Sequence, residues 1–424
     1  MPMLRTAFAA LLTGFSAIAC QPVEPAPAAE TAPPAAASTP ATPPVSADAP
    51  KTAAPVTAAP VTAAPVTAAP RVTDEAFLAR CRAAAEYSRT HDGEVMLVLL
   101  DGKPVFEDAA SGWSVESPHL LASGTKSFSG IAAALAIEDG LLSLDEKVAD
   151  TIHEWKGDPR KSQVTVRQLL SLSSGLESLS NIIDSNRNAR AAGMANRAAA
   201  SIAAKLLADP GERFIYGPSQ FYVFGELMKR KFAAAGTGDA DVVAYLDRKV
   251  FKPLEISPRF LRDDAGNVNL PGGCRMSARD WTVFGEFVRN GGMHDGKRIL
   301  GEATLAELMK PHGPNRAYGL TWWLIRDDED ALDPESALAA DMIADRVERR
   351  GTPAARRLAE RTRERAAVQA PDPASPIIGF MAAGKGKQRL YVLPEQKLTI
   401  VRFGPLEGSR GFDNREFMRL LLGE

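Results

Sequence analysis

The 424-residue chain is poor in cysteine and histidine and has no long apolar run. Its five histidines (His91, His119, His153, His294 and His312) are scattered without metal-ligand spacing, and there is no His-Glu-x-x-His. The sequence therefore implies no metal and no other cofactor. A Gly-x-Ser-x-Gly elbow is also missing, which removes one common way of presenting a serine nucleophile. A net charge of -2 gives no general attraction for nucleic acid. The longest apolar stretch, Ala7 to Ile18, is too short to span a bilayer.

What is present has the balance of an ordinary globular protein, 45% apolar and 24% charged, with length enough to bury a large core. Residues 1–20 combine a charged start at Arg5, the apolar run and Ala17-Ile18-Ala19-Cys20, which reads as a secretory signal. Small residues before a cysteine resemble a bacterial lipoprotein processing site, although Ala17 stands where leucine is more frequent. The expectation is export to the periplasmic side of a bacterial envelope, with a lipid on Cys20 as the membrane contact. Residues 21–70 are nearly all Pro, Ala, Thr and Val and end in TAAPV repeats. With no aromatic residue and little apolar bulk they cannot build a core, and they read as a tether of extended polyproline character. A catalytic domain is expected over residues 71–424. In an exported chain Cys81 and Cys274 can pair as a disulfide, and two separate buried thiols fit equally well.

The domain opens with an amphipathic pattern from Asp74 to Arg89. Strand patterns follow over Glu94 to Leu100 and Pro104 to Asp108, joined by Asp101-Gly102, a strong hairpin signal. Leu142 to Ile152 and Thr165 to Leu172 suggest helical packing, with a turn at Ser173-Ser174-Gly175. The chemistry is concentrated in LLASGTKSFSGIAAALAIEDG, residues 120–140. Apolar residues from Phe128 through Ile131, Leu135 and Ile137 recur at helical spacing, and Gly140 supplies the permissive residue past the helix end. At its start stands Ser123-Gly124-Thr125-Lys126. Residues three apart in a first turn share a face, so the Ser123 hydroxyl and the Lys126 amine can meet there. Unpaired amides and the positive dipole end also favour an alkoxide at that place. A desolvated lysine can take the serine proton and make it a nucleophile. About one or two Ser-x-x-Lys arise by chance in such a chain, and the plain alternative for Ser123 is a helix N-cap.

The ordered series ASGTKSFSG, LSLDEKVADTI, VTVRQLLSLSSGL and PGERFIYGPSQFYVFGELM resembles the serine hydrolases grouped with class C beta-lactamases, penicillin-binding esterases and D-amino-acid peptidases. GGCRMSARDWTVFGEFVRNGG, YGLTWWL and AAGKGKQRLYVLPEQKLTIVRFG extend the likeness over most of residues 75 to 424. The resemblance implies an α+β fold, an antiparallel β-sheet flanked by helices with an all-helical subdomain. It makes Ser123 the nucleophile, Lys126 its proton partner and Tyr216 the tyrosine of a Tyr-x-Asn motif, a phenol able to serve as base and acid. Pro218 stands where that motif has asparagine and has no side-chain amide. With Gln388 as marker, the third motif falls at Lys385-Gly386-Lys387, which the resemblance makes substrate-binding, on a strand that supplies one oxyanion amide. Gly386 offers no hydroxyl there, and Lys387 puts a side chain where glycine would allow close approach. The alternatives are a core aromatic for Tyr216 and a basic turn between strands for residues 385–387.

Residues 326–376 interrupt the family pattern with a charged insertion, and Pro334 to Arg350 and Pro353 to Val368 have the composition of a helical hairpin. Its arginines read as a solvated face, and an insertion entering just before the third motif could overhang the pocket. The resulting expectation is an exported serine hydrolase acting through a Ser123 ester on a small ester, an amide or a peptidoglycan-like D-amino-acid or beta-lactam substrate. The rival of another class is a silent envelope-bound binding protein that keeps the fold.

Overall fold

The computed structural model describes residues 74–179, 195–327, 344, 347, 351–368 and 375–423. The signal-like segment 1–20 with Cys20, the stretch 21–70 and most of Pro334 to Arg350 lie outside the described residues.

The fold is α+β, built on a six-stranded antiparallel sheet. Its strands are β1 (Val95–Leu100), β2 (Lys103–Ala109), β3 (Trp323–Arg326), β4 (Ile377–Gly384), β5 (Gln388–Leu393) and β6 (Leu398–Phe403), in the order β2-β1-β6-β5-β4-β3. The first hairpin turns at Asp101-Gly102, where φ is 51° and 76°, the left-handed pair that this dipeptide accepts. The chain leaves the sheet after Ala109 and rejoins it only at Trp323. Ser123, Lys126 and Tyr216 all lie in that excursion.

Side-chain alternation assigns the two faces. Thr399 and Phe403 meet Glu286 and Trp281 of α4 (Ala278–Arg289), which therefore covers one face. Arg402 reaches Ser88 of α1 (Glu75–Thr90), and Tyr391 reaches Asn414 of α6 (Asn414–Leu422), so the first and last helices cover the other.

The predicted central helix is α2 (Ser127–Glu138), and Gly140 beyond it has φ of 70°. Every residue from Ser127 to Ala136 is buried, as an apolar helix with no polar stripe requires. The helical subdomain includes Val166–Leu170, Arg197–Ala203, α3 (Ser219–Ala235) and Val242–Leu246. The stretch expected to pack as a helix over Leu142 to Ile152 departs from that reading and contains only a 3-10 turn, Val148–Asp150. Its backbone finds partners across the chain instead: Val148 N donates to Val164 O at 2.9 Å, and Lys147 bridges Thr165. In the insertion, α5 (Pro353–Val368) forms as the composition suggests, burying Ala355 and Ala359 and exposing Arg356, Arg357 and Arg361. Cys81 and Cys274 are both buried and free, and burial pushes both thiols up, Cys81 to about 11. Among the described residues no helix is long and apolar enough to cross a membrane.

Candidate active site

Ser123 lies in a 3-10 turn, Ala122–Lys126, that runs directly into α2. The tighter winding matters, because residues three apart eclipse in a 3-10 helix. Lys126 Nζ donates to Ser123 Oγ at 2.9 Å and to Pro271 O at 2.7 Å. Ser123 is half-buried and Lys126 is only 4% exposed. The N-cap of the turn is Leu121 and that of α2 is Lys126, so Ser123 is the N-cap of neither. Ala122, just before the serine, holds φ at 46°, a left-handed conformation that a non-glycine residue adopts only when its surroundings impose it.

Those surroundings are visible. Leu121 N donates to Cys274 O at 2.9 Å, and Cys274 N to Thr125 Oγ1 at 3.1 Å, so Pro271 to Cys274 straps the turn from outside. At Gly124 a Cβ would lie 2.9 Å from the Trp281 ring, which fixes the turn against α4.

Tyr216 arrives from the helical subdomain. Ile215 N donates to Leu172 O at 2.8 Å, and a Cβ on Gly217 would sit 2.3 Å from Ser178 Oγ, so the segment is pinned on both sides of the tyrosine. The Lys126 amine lies 4.9 Å from the Tyr216 ring centroid and 5.4 Å from that of Phe221, faces that attract positive charge. Tyr216 stacks on Trp323 at 6.2 Å, with Phe214 and Tyr318 completing an aromatic wall. Thus the structure brings Ser123, Lys126 and Tyr216 together. Pro218 starts α3 with φ of -84°, a place where a missing N–H costs little.

The sequence matches the Beta-lactamase family model over residues 78–403. The chain belongs to the beta-lactamase family. It has the beta-lactamase/transpeptidase-like fold of that family of serine hydrolases. Solved structures agree on the fold. EstCE1, described as a hydrolase with promiscuous acyltransferase activity, superposes with a TM-score of 0.57 at 16% identity, over 82% of this chain and 98% of that one. A penicillin-binding protein homologue from Caulobacter crescentus gives 0.55 at 15% identity over 82% and 96%. A D-stereospecific amidohydrolase from Streptomyces sp. gives 0.53 at 14% identity over 81% and 97%. No curated protein sequence matches the chain.

Against the beta-lactamase family pattern, the third motif needs a new register. Lys385, Gly386 and Lys387 form the turn between β4 and β5. The Lys385 ammonium points to the exposed Glu407, and a Cβ on Gly386 would strike Pro405 O at 2.4 Å, on a loop remote in sequence from the nucleophile. The backbone that presses on the nucleophile turn is that of Gly384, where a Cβ would lie 2.0 Å from Leu121 O and 3.1 Å from Gly124 N. Only glycine fits there. The close approach expected of the third motif's glycine, a position the motif reading gave to Lys387, is therefore made three residues earlier, at the end of Ala382-Ala383-Gly384. Gln388 does not mark the site: its amide brackets Gly404, donating to its carbonyl and accepting from its N–H at 3.3 Å. The end of a strand at a glycine was the signal that could have located it. Nothing in the sequence pointed to Pro271 O or Phe221 as neighbours of Lys126.

Proposed function

We propose that this protein is an acyl-transfer hydrolase that works through a Ser123 ester, with Lys126 and Tyr216 as its proton-handling pair. The observation that carries the reading is the 2.9 Å contact between the Lys126 amine and the Ser123 hydroxyl in a buried, aromatic-walled site. Ser123 Oγ attacks the substrate carbonyl carbon while its proton passes to the pair. As the carbon–oxygen or carbon–nitrogen bond to the leaving group breaks, that proton is delivered to the departing atom. Water then adds to the acyl carbon, giving a proton to the pair, and Ser123 leaves with it. The oxyanion is stabilised by the Ser123 amide and by the Lys385 amide, which follows Gly384 at the contact with the nucleophile turn.

Neutral short-chain esters are the substrates this site favours, ahead of amides and well ahead of beta-lactams. Ala382, Ala383 and Gly384 supply no ammonium or hydroxyl for a substrate carboxylate, and Pro218 supplies no side-chain amide. Orientation by such groups is a large part of what a positioned site contributes. An ester makes weaker demands, because an alkoxide leaves more readily than an amine. In a substrate panel on the full-length protein, aryl esters should turn over with a kcat/KM above that for cephalosporins. Equal or better cephalosporin hydrolysis would overturn the preference, and a folded protein without turnover or acylation on any member would favour the silent binding protein.

For location we propose export with a lipid on Cys20, supported by the signal-like segment and the small residues before that cysteine. Radiolabelled fatty acid should enter the expressed protein, and undiminished labelling of Cys20→Ala would contradict it.

A further inference from the structure

Two arginines face each other across β5 and β6, Arg389 opposite Arg402, in the sheet layer covered by α1 and α6. They are 1% and 0% exposed. Like charges directly opposed in a sheet repel, and buried charge is costly unless well bonded. Among the described residues no carboxylate forms an ion pair with Arg402. Burial above all, and more weakly the Arg389 charge, pulls its pKa down to about 10, which still leaves it protonated at neutral pH. A pair this expensive must be held by something, and its acceptors form a pattern.

Arg389 Nη1 donates to Gly384 O at 3.0 Å and to Gln388 O at 2.9 Å. Arg402 Nη1 donates to Gly386 O at 3.0 Å and to Lys387 O at 3.1 Å. Arg389 thus grips the carbonyls at the two ends of the Gly384–Gln388 tip, and Arg402 grips two carbonyls between them. Ser409 Oγ adds a further donor to Gly386 O at 3.0 Å. The remaining arms are tied to the end helices: Arg389 Nε to Asn414 Oδ1 at 3.0 Å, Arg402 Nε to Ser88 Oγ at 3.0 Å, and Arg402 Nη2 to His91 O at 2.8 Å. The Arg402 guanidinium also lies over the Phe412 ring at 4.5 Å. Gly384, at one end of the gripped tip, is the residue that abuts Leu121 and Gly124 beside Ser123.

We propose that Arg389 and Arg402 form a clamp that sets the tip of β4 against the nucleophile turn, so that both are positioning residues for the reaction. This rests on the Ser123 ester reading above. The clamp acts from behind the sheet. It touches no substrate, and it fixes the Gly384–Lys385 peptide in the place where an amide must wait for the developing oxyanion. Planar, five-donor guanidinium can hold several carbonyls at once, and lysine in its place keeps the charge but loses the fork.

The test compares full-length wild type with Arg389→Lys and Arg402→Lys on an aryl ester and on its thionoester, in which sulfur replaces the carbonyl oxygen and bonds poorly to oxyanion donors. Arg389→Lys should lower kcat about tenfold to a hundredfold, the scale of a small misplacement, with KM changed less than about threefold. The ester-to-thionoester rate ratio should shrink by a similar factor, because the donors that distinguish oxygen from sulfur are out of line. Wild-type kcat in a folded lysine variant, or a reduced kcat with an unchanged ratio, would overturn the clamp and leave Ser123 chemistry intact. If neither lysine variant folds, Ser409→Ala takes their place, with a smaller shift of the ratio in the same direction, and an unchanged ratio there would overturn the clamp. Should ester turnover survive Ser123→Ala, the nucleophile reading fails and the clamp's role goes with it.

Discussion

The nucleophile turn and the tip of β4 press against each other, yet they are specified in different ways. On one side the proposed chemistry resides in residue type: Ser123, Lys126 and Tyr216 are the proposed reacting groups, and their contacts follow from an eclipsed turn and a pinned tyrosine. On the other side the side chains have little to say. Ala382, Ala383 and Gly384 contribute a backbone surface, and the residues that place it are buried behind the sheet. On the proposed reading, the site keeps its reacting groups and has few of the polar groups that would hold a charged substrate.

The comparison is broken most severely at Gly384. Gly384→Val should remove ester turnover by more than about a hundredfold, since the new Cβ cannot fit between Leu121 O and Gly124 N and one of the two backbones must retreat. Its cost in stability, read from denaturant midpoints, should be about 1–3 kcal/mol, as for overpacking. Normal turnover in that variant would mean that β4 is not part of the site.

A sharper probe lies on the side-chain face. Tyr216→Phe keeps the ring against Trp323 and loses only the hydroxyl, so kcat should fall by about a hundredfold with little change in Tm. A large loss of Tm with unchanged kcat would make Tyr216 a core aromatic.

The legibility of the sequence follows the same division. Period and punctuation were enough for α2 with Gly140, for the Asp101-Gly102 hairpin and for α5, because local pattern decides those elements. The nearness of Ser123, Lys126 and Tyr216, which the motifs implied, is what the structure shows, and their proposed chemistry is carried by side chains. The register of the third motif could not be read, since the motif spacing put Lys387 at the glycine position and only the fold shows that Gly384 meets Leu121. Val148–Asp150 misled for a related reason: its apolar spacing allows a helix, and a cross-chain bridge to Val164 and Thr165 takes the backbone instead. Arg389 and Arg402 carry no local sign of their burial, since only the end helices of the fold cover them.

The smallest effect is expected where the sequence placed substrate binding. Lys385→Ala keeps the backbone amide and removes only an exposed ion pair with Glu407. Turnover should stay within about threefold and stability within about 0.5 kcal/mol, as for other surface changes. A loss in KM of more than about tenfold would return the Lys385 side chain to the pocket.

The central claim, that Ser123 is a nucleophile, is tested most directly by the intact mass of the full-length protein after treatment with an active-serine phosphonate. Wild type should gain one phosphonyl adduct, and Ser123→Ala should gain none while melting within a few degrees of wild type. An adduct of the same mass and yield on Ser123→Ala would contradict the account.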